Sequence, residues 1–337
     1  MPIAIGVPLL VGLGLLVSGF LSLRAAWVIT GAVGAVTWWL VGGDGSWAVG
    51  FVFVAAGLIA LAVVPALSVR LPRILDGSFH RRPVVAVLVG VLCLIGLTRG
   101  SLLGVFMVDR EQEWASTFPP SELAVQHQCL PAYLYAAELH GRGVVDVYDH
   151  ELYPDGSSGA QVPTAISGME TEVKDPFLYP PTFLLLAKLG LSASKNYALL
   201  RVCMFGINAV AILIVGLLVP AWIGGRMGLV AGLLFPALWM SLPAMMTLQF
   251  GQFQLMTVVL AMGGMLTFSR GYRVAGGCLL AAAILSKVFP AILLVWLLGR
   301  RSWRELGWTA VFGSAFVALS VGIVGRETWR VFVFELV

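Results

Sequence analysis

The stretch LYPPTFLLLAKLGLS, residues 178–192, decides how the rest of the chain is organised. It stands between a polar segment, residues 109–178, and a C-terminal region that consists almost entirely of apolar runs. It offers only about a dozen apolar positions, and a helix of that length, rising about 1.5 Å per residue, cannot cross about 30 Å of hydrocarbon. We therefore predict a helix that lies at the membrane surface rather than one that spans the bilayer.

The composition of the whole chain indicates a membrane protein. The sequence is 59% hydrophobic and 11% charged, with a mean hydropathy of +0.94, whereas ordinary soluble domains carry about 25% charged residues. Its unbroken apolar runs are typical of membrane helices, which satisfy every backbone group inside one segment. We predict an all-α polytopic membrane protein with about nine to eleven transmembrane helices and a large extracytoplasmic loop that contains juxtamembrane helices.

The distribution of arginine sets the predicted topology. Three helices are predicted at 3–21, 25–42 and 47–68. The densest basic loop, RLPRILDGSFHRRP at 70–83, follows them, and the positive-inside rule assigns it to the cytoplasm. A helix at 84–107 then leads outward, so segment 109–178 is predicted to be extracytoplasmic in a multi-pass protein of the cell membrane. Because the basic residues lie in short loops, the pI near 9.0 does not imply a nucleic-acid partner.

The remaining helices follow from the same rule. They are predicted at 200–222, 227–247, 252–269, 274–287, 289–299 and 306–324. This arrangement keeps the later arginine clusters inside and brings Gln252 and Lys287 near the outer face, on the side of the polar segment. No closing helix is predicted in the final GRETWRVFVFELV, so we expect the chain to be part of a longer protein. We divide it into an N-terminal three-helix bundle with the basic loop, 1–83, and a membrane domain, 84–337.

The polar segment 109–178 is predicted to fold. It holds twelve of the chain's 17 acidic residues but is also rich in aromatic residues, and disordered segments lack the apolar surface that offsets ordering entropy. Asp109 is the acid confined where the outward helix leaves the membrane. Asp175 precedes Tyr179-Pro180-Pro181 and could stabilise the N-terminus of the surface helix. The histidines do not show metal-ligand spacing with cysteine, and the acids could bind a divalent cation without a D-x-D pair to favour it.

Lys287 is the most unusual residue of the apolar region. It lies in AAAILSKVFPAILL with no acid nearby in sequence, and an ionisable group in such a position usually faces a cavity or a partner. The alternative is a lysine whose amine reaches the outer interface, helped by the break at Pro290. Gln252 and Gln254 flank Phe253 in LQFGQFQLM, where their amides could either cap a helix or bind a hydroxylated ligand.

Five motifs occur in an order that resembles a known family, the C-type membrane glycosyltransferases that use polyprenyl-phosphate sugars, in particular the branch that includes actinobacterial mannosyltransferases. They are CLPAYLYAAEL (129–139) with Gly143 to Tyr148, Tyr179-Pro180-Pro181, Gly251-Gln252-Phe253-Gln254, Lys287 to Pro290, and Arg300, Arg301 and Arg304. The resemblance covers about residues 84–337 and implies a glycosyltransferase C-like membrane fold. It has no counterpart for the predicted N-terminal bundle, which could bind protein partners.

The resemblance implies transfer of a sugar, mannose-like or other, from a polyprenyl-phosphate donor to a glycan or lipid acceptor at the outer face. Lys287 would hold the donor phosphate, and Gln252 the phosphate or a sugar hydroxyl. The full set of substrate-binding residues predicted in this way is Lys287, Gln252, Gln254, Tyr179, Tyr133 and His127. Membrane lipids and the lipid-linked donor are the expected partners, and no nucleic acid is expected.

Cys129 departs from the family pattern, because it occupies the position of the family's catalytic aspartate. A thiol, whose pKa is ordinarily near 8.5, cannot act as the general base in the same way. Either another acid has taken over, and Asp109 is then the first candidate with Asp175 the second, or the chain is not an active transferase. The alternative function is a non-enzymatic integral membrane protein, such as a transporter or the membrane subunit of a complex.

Overall fold

The computed structural model describes residues 83–117, 129–153, 163–170, 172 and 174–336. The α-helices within these residues are α1 (Pro83–Val108), α2 (Cys129–Gly141), α3 (Pro181–Ala193), α4 (Tyr197–Ile223), α5 (Gly225–Trp239), α6 (Leu242–Phe250), α7 (Gln254–Ser269), α8 (Arg273–Ser286), α9 (Ile292–Gly299), α10 (Trp303–Val324) and α11 (Arg326–Val331). Short 3-10 helices lie at Glu113–Ala115, His150–Leu152 and Phe289–Ala291, and a π-helical turn lies at Phe332–Leu336. These residues contain no β-strand, so the all-α class is confirmed for this part of the chain.

Several predicted helices agree with the structure. The outward helix predicted at 84–107 is α1, and the short surface helix predicted within 178–192 is α3, which has 13 residues. Pro180 and Pro181 begin α3, where the missing N–H of proline costs nothing. The predicted N-terminal bundle and its basic loop fall outside the described residues, apart from Pro83.

The single helix predicted at 227–247 is wrong, because the structure divides it. Helix α5 ends at Trp239 and α6 begins at Leu242, and the Ser241 amide donates to the Leu238 carbonyl in a turn at 3.1 Å. Pro243 explains the break, since it lacks the N–H that would bond the Trp239 carbonyl four residues earlier and its ring would clash with that carbonyl. Hydropathy does not reveal this break because the apolar run continues through it.

The expectation that the chain ends without a helix is also wrong. Gly325, with φ of +93°, ends α10, and α11 starts immediately afterwards. The Trp329 indole donates to the Ser320 hydroxyl at 3.2 Å, and the Thr328 hydroxyl donates to the Val145 carbonyl at 3.0 Å. These contacts join the last helix to α10 and to the segment after α2.

Membrane-length helices occur among the described residues. By length and composition, Tyr197–Pro220 and Trp303–Val324 can each cross a bilayer, and Leu242–Phe250 with Gln254–Ser269 forms a third candidate bent by 112°. Shorter apolar helices lie at Thr98–Val108, Pro181–Ala193, Gly225–Phe235, Arg273–Ser286 and Phe289–Gly299. A membrane protein is therefore indicated, while the total of nine to eleven spans stays a prediction.

The chain forms two compact units. One comprises Met1–Thr117 with Ile212–Met245, and the other comprises Phe118–Ala211 with Met246–Val337. In the first, α1 packs on α5, and the Trp239 indole lies against Gly100, whose Cβ would meet the ring nitrogen at 3.1 Å.

In the second unit, α8 packs between α7 and α10. Small residues allow this close approach: a Cβ on Gly264 would lie 3.1 Å from the Gly276 carbonyl oxygen, and one on Gly277 would lie 2.7 Å from Trp308. Glycine at such positions is a common device for packing membrane helices.

The part of the polar segment that belongs to the second unit, described from residue 129 onward, packs against α3. Tyr133 and Phe177 are buried together with Phe183 of α3. The Glu138 carboxylate accepts hydrogen bonds from the Arg142 guanidinium at 2.6 Å, the Thr164 hydroxyl at 2.5 Å and the Ala165 amide at 2.6 Å. The Glu138 carboxylate thus joins α2 to the segment that contains Thr164 and Ala165.

Candidate functional site

Lys287 lies at the end of α8, where the helix stops and the chain becomes extended. Its ammonium donates to the Gln254 side-chain oxygen at 2.6 Å and lies 5.3 Å from the centre of the Tyr179 ring. The side chain is half-buried. A cation held by an amide oxygen and an aromatic face keeps its positive charge available, because neither partner neutralises it.

The Gly251 turn brings Gln252 and Gln254 to this site. Gly251 has φ of +63°, and a Cβ on it would lie 2.9 Å from the Leu130 Cβ. Glycine is therefore needed for both conformation and close approach. The turn bends α6 against α7 by 112° and starts α7 at Gln254.

Tyr179 is held at both ends by polar contacts. Its hydroxyl accepts from the Tyr133 hydroxyl at 2.7 Å, and its carbonyl accepts from the Tyr148 hydroxyl at 2.9 Å. The ring packs against Phe183 with a centroid separation of 5.0 Å, and Phe183 lies at the same distance from Phe253. These contacts set the ring in place beneath the Lys287 ammonium.

Cys129 is the first residue of α2, and its thiol is surrounded by predicted site residues. Gln252 and Tyr133 are its side-chain hydrogen-bond partners, and the charges of Asp175 and Lys287 act on it. Burial, followed by the Asp175 carboxylate, raises the pKa of the Cys129 thiol from 9.0 to about 11. The thiol is therefore neutral at physiological pH and cannot accept a proton there.

Asp175 is the carboxylate that the structure brings to this group. It is half-buried, and its charge acts on both Cys129 and Tyr179, where it contributes to the raised pKa of the Tyr179 hydroxyl after the larger effect of burial. The second unit thus combines a carboxylate, a lysine, two glutamine amides and two tyrosines around a neutral thiol. Such a set can hold an anion and take up a proton.

Residues 177–337 match glycosyltransferase family 87. The predicted resemblance to C-type membrane glycosyltransferases is therefore confirmed, and the class it supports is a membrane glycosyltransferase. No curated protein and no solved structure matches the chain. The family 87 match includes Tyr179, Gln252, Gln254 and Lys287, while Cys129 and Asp175 precede it.

One predicted site residue does not belong to the second unit. Asp109 belongs to the first compact unit, where its carboxylate accepts from the Glu111 amide at 3.0 Å and from the Gln112 side chain at 3.1 Å. Both carboxylate oxygens of Asp109 are therefore used in hydrogen bonds that stabilise the turn after α1. His127 lies outside the described residues. Among those described, no group of three histidine, cysteine or acidic residues could hold a metal ion.

Three supporting residues were not among the predicted site residues, although Tyr148 ends the motif from Gly143 to Tyr148. Asn208, fully buried in α4, donates to the Gln252 carbonyl at 2.9 Å. The Thr182 hydroxyl at the start of α3 donates to the Leu285 carbonyl of α8 at 2.5 Å. Tyr148 holds the Tyr179 backbone. An asparagine within the apolar run of α4 is a signal that sequence reasoning could have used, because a polar side chain there needs a partner.

Proposed function

We propose that the chain is an integral membrane glycosyltransferase that moves a sugar, mannose-like or other, from a polyprenyl-phosphate donor to an extracytoplasmic glycan or lipid acceptor. The observation that carries this proposal is the Lys287–Gln254–Tyr179 cluster, which lies in the segment matching glycosyltransferase family 87. On this proposal the polar segment 109–178 faces the outside of the cell membrane, as charge-based topology predicts.

The donor would bind through its phosphate. The Lys287 ammonium would exchange its contact with the Gln254 oxygen for phosphate oxygens, and the freed amide could bind a phosphate or sugar oxygen. Val288 and Phe289, which follow Lys287, are exposed apolar side chains that offer a surface for the prenyl chain. A divalent cation held by loop acids remains an optional part of this proposal.

Asp175 is the proposed general base. It would remove the proton of an acceptor hydroxyl while that oxygen bonds to the anomeric carbon of the donor sugar. The bond from this carbon to the phosphate oxygen breaks, and the phosphate keeps the electron pair, its charge stabilised by Lys287. No acid is needed for this leaving group. Asp175 is preferred to Asp109 because its charge acts on Cys129, the position of the family's aspartate.

The experiment compares variants of the full chain purified in detergent. Native mass spectrometry would measure bound decaprenyl phosphate, and transfer would be followed from radiolabelled polyprenyl-phosphate hexoses to acceptors in membranes. We expect Lys287→Met to lose donor binding and Asp175→Asn to keep it while losing about 10²–10⁴-fold in transfer rate. The exposed residues Lys195 and Asp149 provide the matched controls Lys195→Met and Asp149→Asn.

The outcomes separate the proposal from its alternative. Unchanged donor binding in Lys287→Met would refute the phosphate assignment, and unchanged transfer in Asp175→Asn would refute the base. The neutral thiol at Cys129 favours the alternative of a non-enzymatic membrane protein. That alternative gains support if the wild-type chain binds decaprenyl phosphate but transfers no sugar with any donor tested.

A further inference from the structure

Two turns meet at the end of α8 that is opposite Lys287. One turn, residues 269–273, joins α7 to α8, and the other, residues 299–303, joins α9 to α10. The Arg273 guanidinium, at the start of α8, donates to the Glu305 carboxylate in the first turn of α10 at 3.0 Å. Helix α8 has 14 residues and is about 21 Å long, so this end is well separated from the proposed sugar-transfer site.

These turns carry a dense and exposed set of cations and aromatic rings, which we call the arginine surface. Its exposed arginines are Arg270, Arg273, Arg300, Arg301 and Arg304, and its exposed aromatic residues are Tyr272, Trp296 and Trp303. Glu305 is the acid that faces them, through its hydrogen bond with the Arg273 guanidinium. Positive charge thus exceeds negative charge strongly at this surface.

The second turn ends α9 with Arg301 in the left-handed conformation that commonly closes a helix, and the Arg301 amide donates to the Leu298 carbonyl at 2.8 Å. Arg301 has φ of +56°, the only non-glycine residue with positive φ among those described. Glycine would adopt this conformation without strain, as it does at Gly271 in the first turn. Beside it, the Arg300 guanidinium stacks on the Trp296 ring at 4.8 Å. The turn therefore keeps an arginine where glycine would be easier, and it carries two exposed arginines in succession.

We propose that the arginine surface binds the headgroups of anionic phospholipids in the membrane that the chain occupies. Guanidinium groups bind phosphate oxygens in pairs of hydrogen bonds, and tryptophan and tyrosine rings favour the headgroup level of a bilayer. Each arginine close to an anionic leaflet strengthens binding about fivefold. Helices α8 and α10 begin at these turns and are mainly apolar. The arginine surface therefore lies at the charged ends of apolar helices, where lipid headgroups would be expected. This inference does not depend on the proposed transfer reaction.

The test measures lipid retention by the purified full chain. Wild type and variants would be placed in mixed micelles with phosphatidylglycerol or phosphatidylcholine, and native mass spectrometry would count the lipids kept. Arg300→Gln/Arg301→Gln removes two cations and leaves the Arg273–Glu305 contact in place. The matched control, Arg326→Gln/Arg330→Gln, removes two exposed arginines beyond the opposite end of α10, which is about 33 Å long.

We expect Arg300→Gln/Arg301→Gln to weaken phosphatidylglycerol binding about thirtyfold at low salt, with the control close to wild type. Raising the salt concentration should weaken wild-type binding more than that of the double variant. Equal retention of the two lipids by wild type, or an equal loss in both double variants, would overturn the proposal. Displacement of the lipid by millimolar inorganic phosphate would also overturn it, because the surface would then be a site for free anions. An unchanged midpoint of thermal unfolding shows that the double variant is folded.

Discussion

Alkylation of Cys129 reports directly on the charges at the candidate site. The pKa of this thiol is about 11 instead of 9.0, and only the thiolate reacts with iodoacetamide. At pH 8 the thiolate fraction is therefore about a hundredfold smaller than that of an unshifted thiol. The rate of alkylation should rise about tenfold per pH unit and should not level off before about pH 10.

Charge-removing variants should move this rate in opposite directions. The Asp175 carboxylate raises the pKa of Cys129, so Asp175→Asn should lower that pKa and accelerate alkylation at pH 8. The Lys287 ammonium lowers the pKa, so Lys287→Met should slow the reaction. A neighbouring charge commonly shifts a pKa by about one unit, so each change is expected to be about tenfold or somewhat less where water screens it.

The assay uses the full chain in detergent, pulsed with iodoacetamide between pH 7 and 10 and analysed by peptide mass spectrometry. Glutathione in the same tube supplies the reference thiol, and Asp149→Asn and Lys195→Met serve as the matched variants. The pH at which the rate levels off does not depend on how easily the reagent reaches the sulfur. A plateau below pH 9 would refute the buried neutral thiol, and a shift of the same sign in both site variants would refute the placement of the two charges.

Two substitutions test how the glutamine turn is held. Gly251→Ala places a Cβ at positive φ and 2.9 Å from Leu130, so it should cost about 1–3 kcal/mol of stability, whereas Gly206→Ala on α4 meets nothing within 4 Å and should not destabilise the protein in thermal unfolding. Asn208→Ala leaves the Gln252 carbonyl without its donor at 2.9 Å and should cost about 1–3 kcal/mol, and an unchanged unfolding midpoint would show that this bond contributes little.

Apolar runs and proline positions were sufficient to predict most of the helices that the structure describes. The short apolar run predicted the 13-residue length of α3, and Pro180 and Pro181 marked its start. The break before α6 was not predicted because the sequence stays apolar through it, and only Pro243, which cannot donate to the Trp239 carbonyl, indicates it. Helix α11 was not predicted because it is short and makes hydrogen bonds to Ser320 and Val145, which hydropathy does not record.

The residues of the candidate site were chosen from motifs, but their arrangement could not be derived from spacing. Tyr133 and Tyr179 are 46 positions apart and share a hydrogen bond, and Gln254 and Lys287 are 33 positions apart and do the same. Asn208 was missed because its role is to hold a backbone carbonyl 44 positions away. Such pairings depend on how the helices of the second unit pack, which single-sequence patterns do not encode.

The cysteine at position 129 can be reconciled with catalysis by considering the charge of its surroundings. Asp175 already acts on this position, so a carboxylate at 129 would stand beside another one. Two carboxylates in one neighbourhood repel, and one of them tends to take up a proton and stop being a base. A neutral thiol removes that repulsion, so that Asp175 and Lys287 act on this position with one charge of each sign. The chain would then keep one base at the site, carried by the loop before α3 instead of by the first residue of α2.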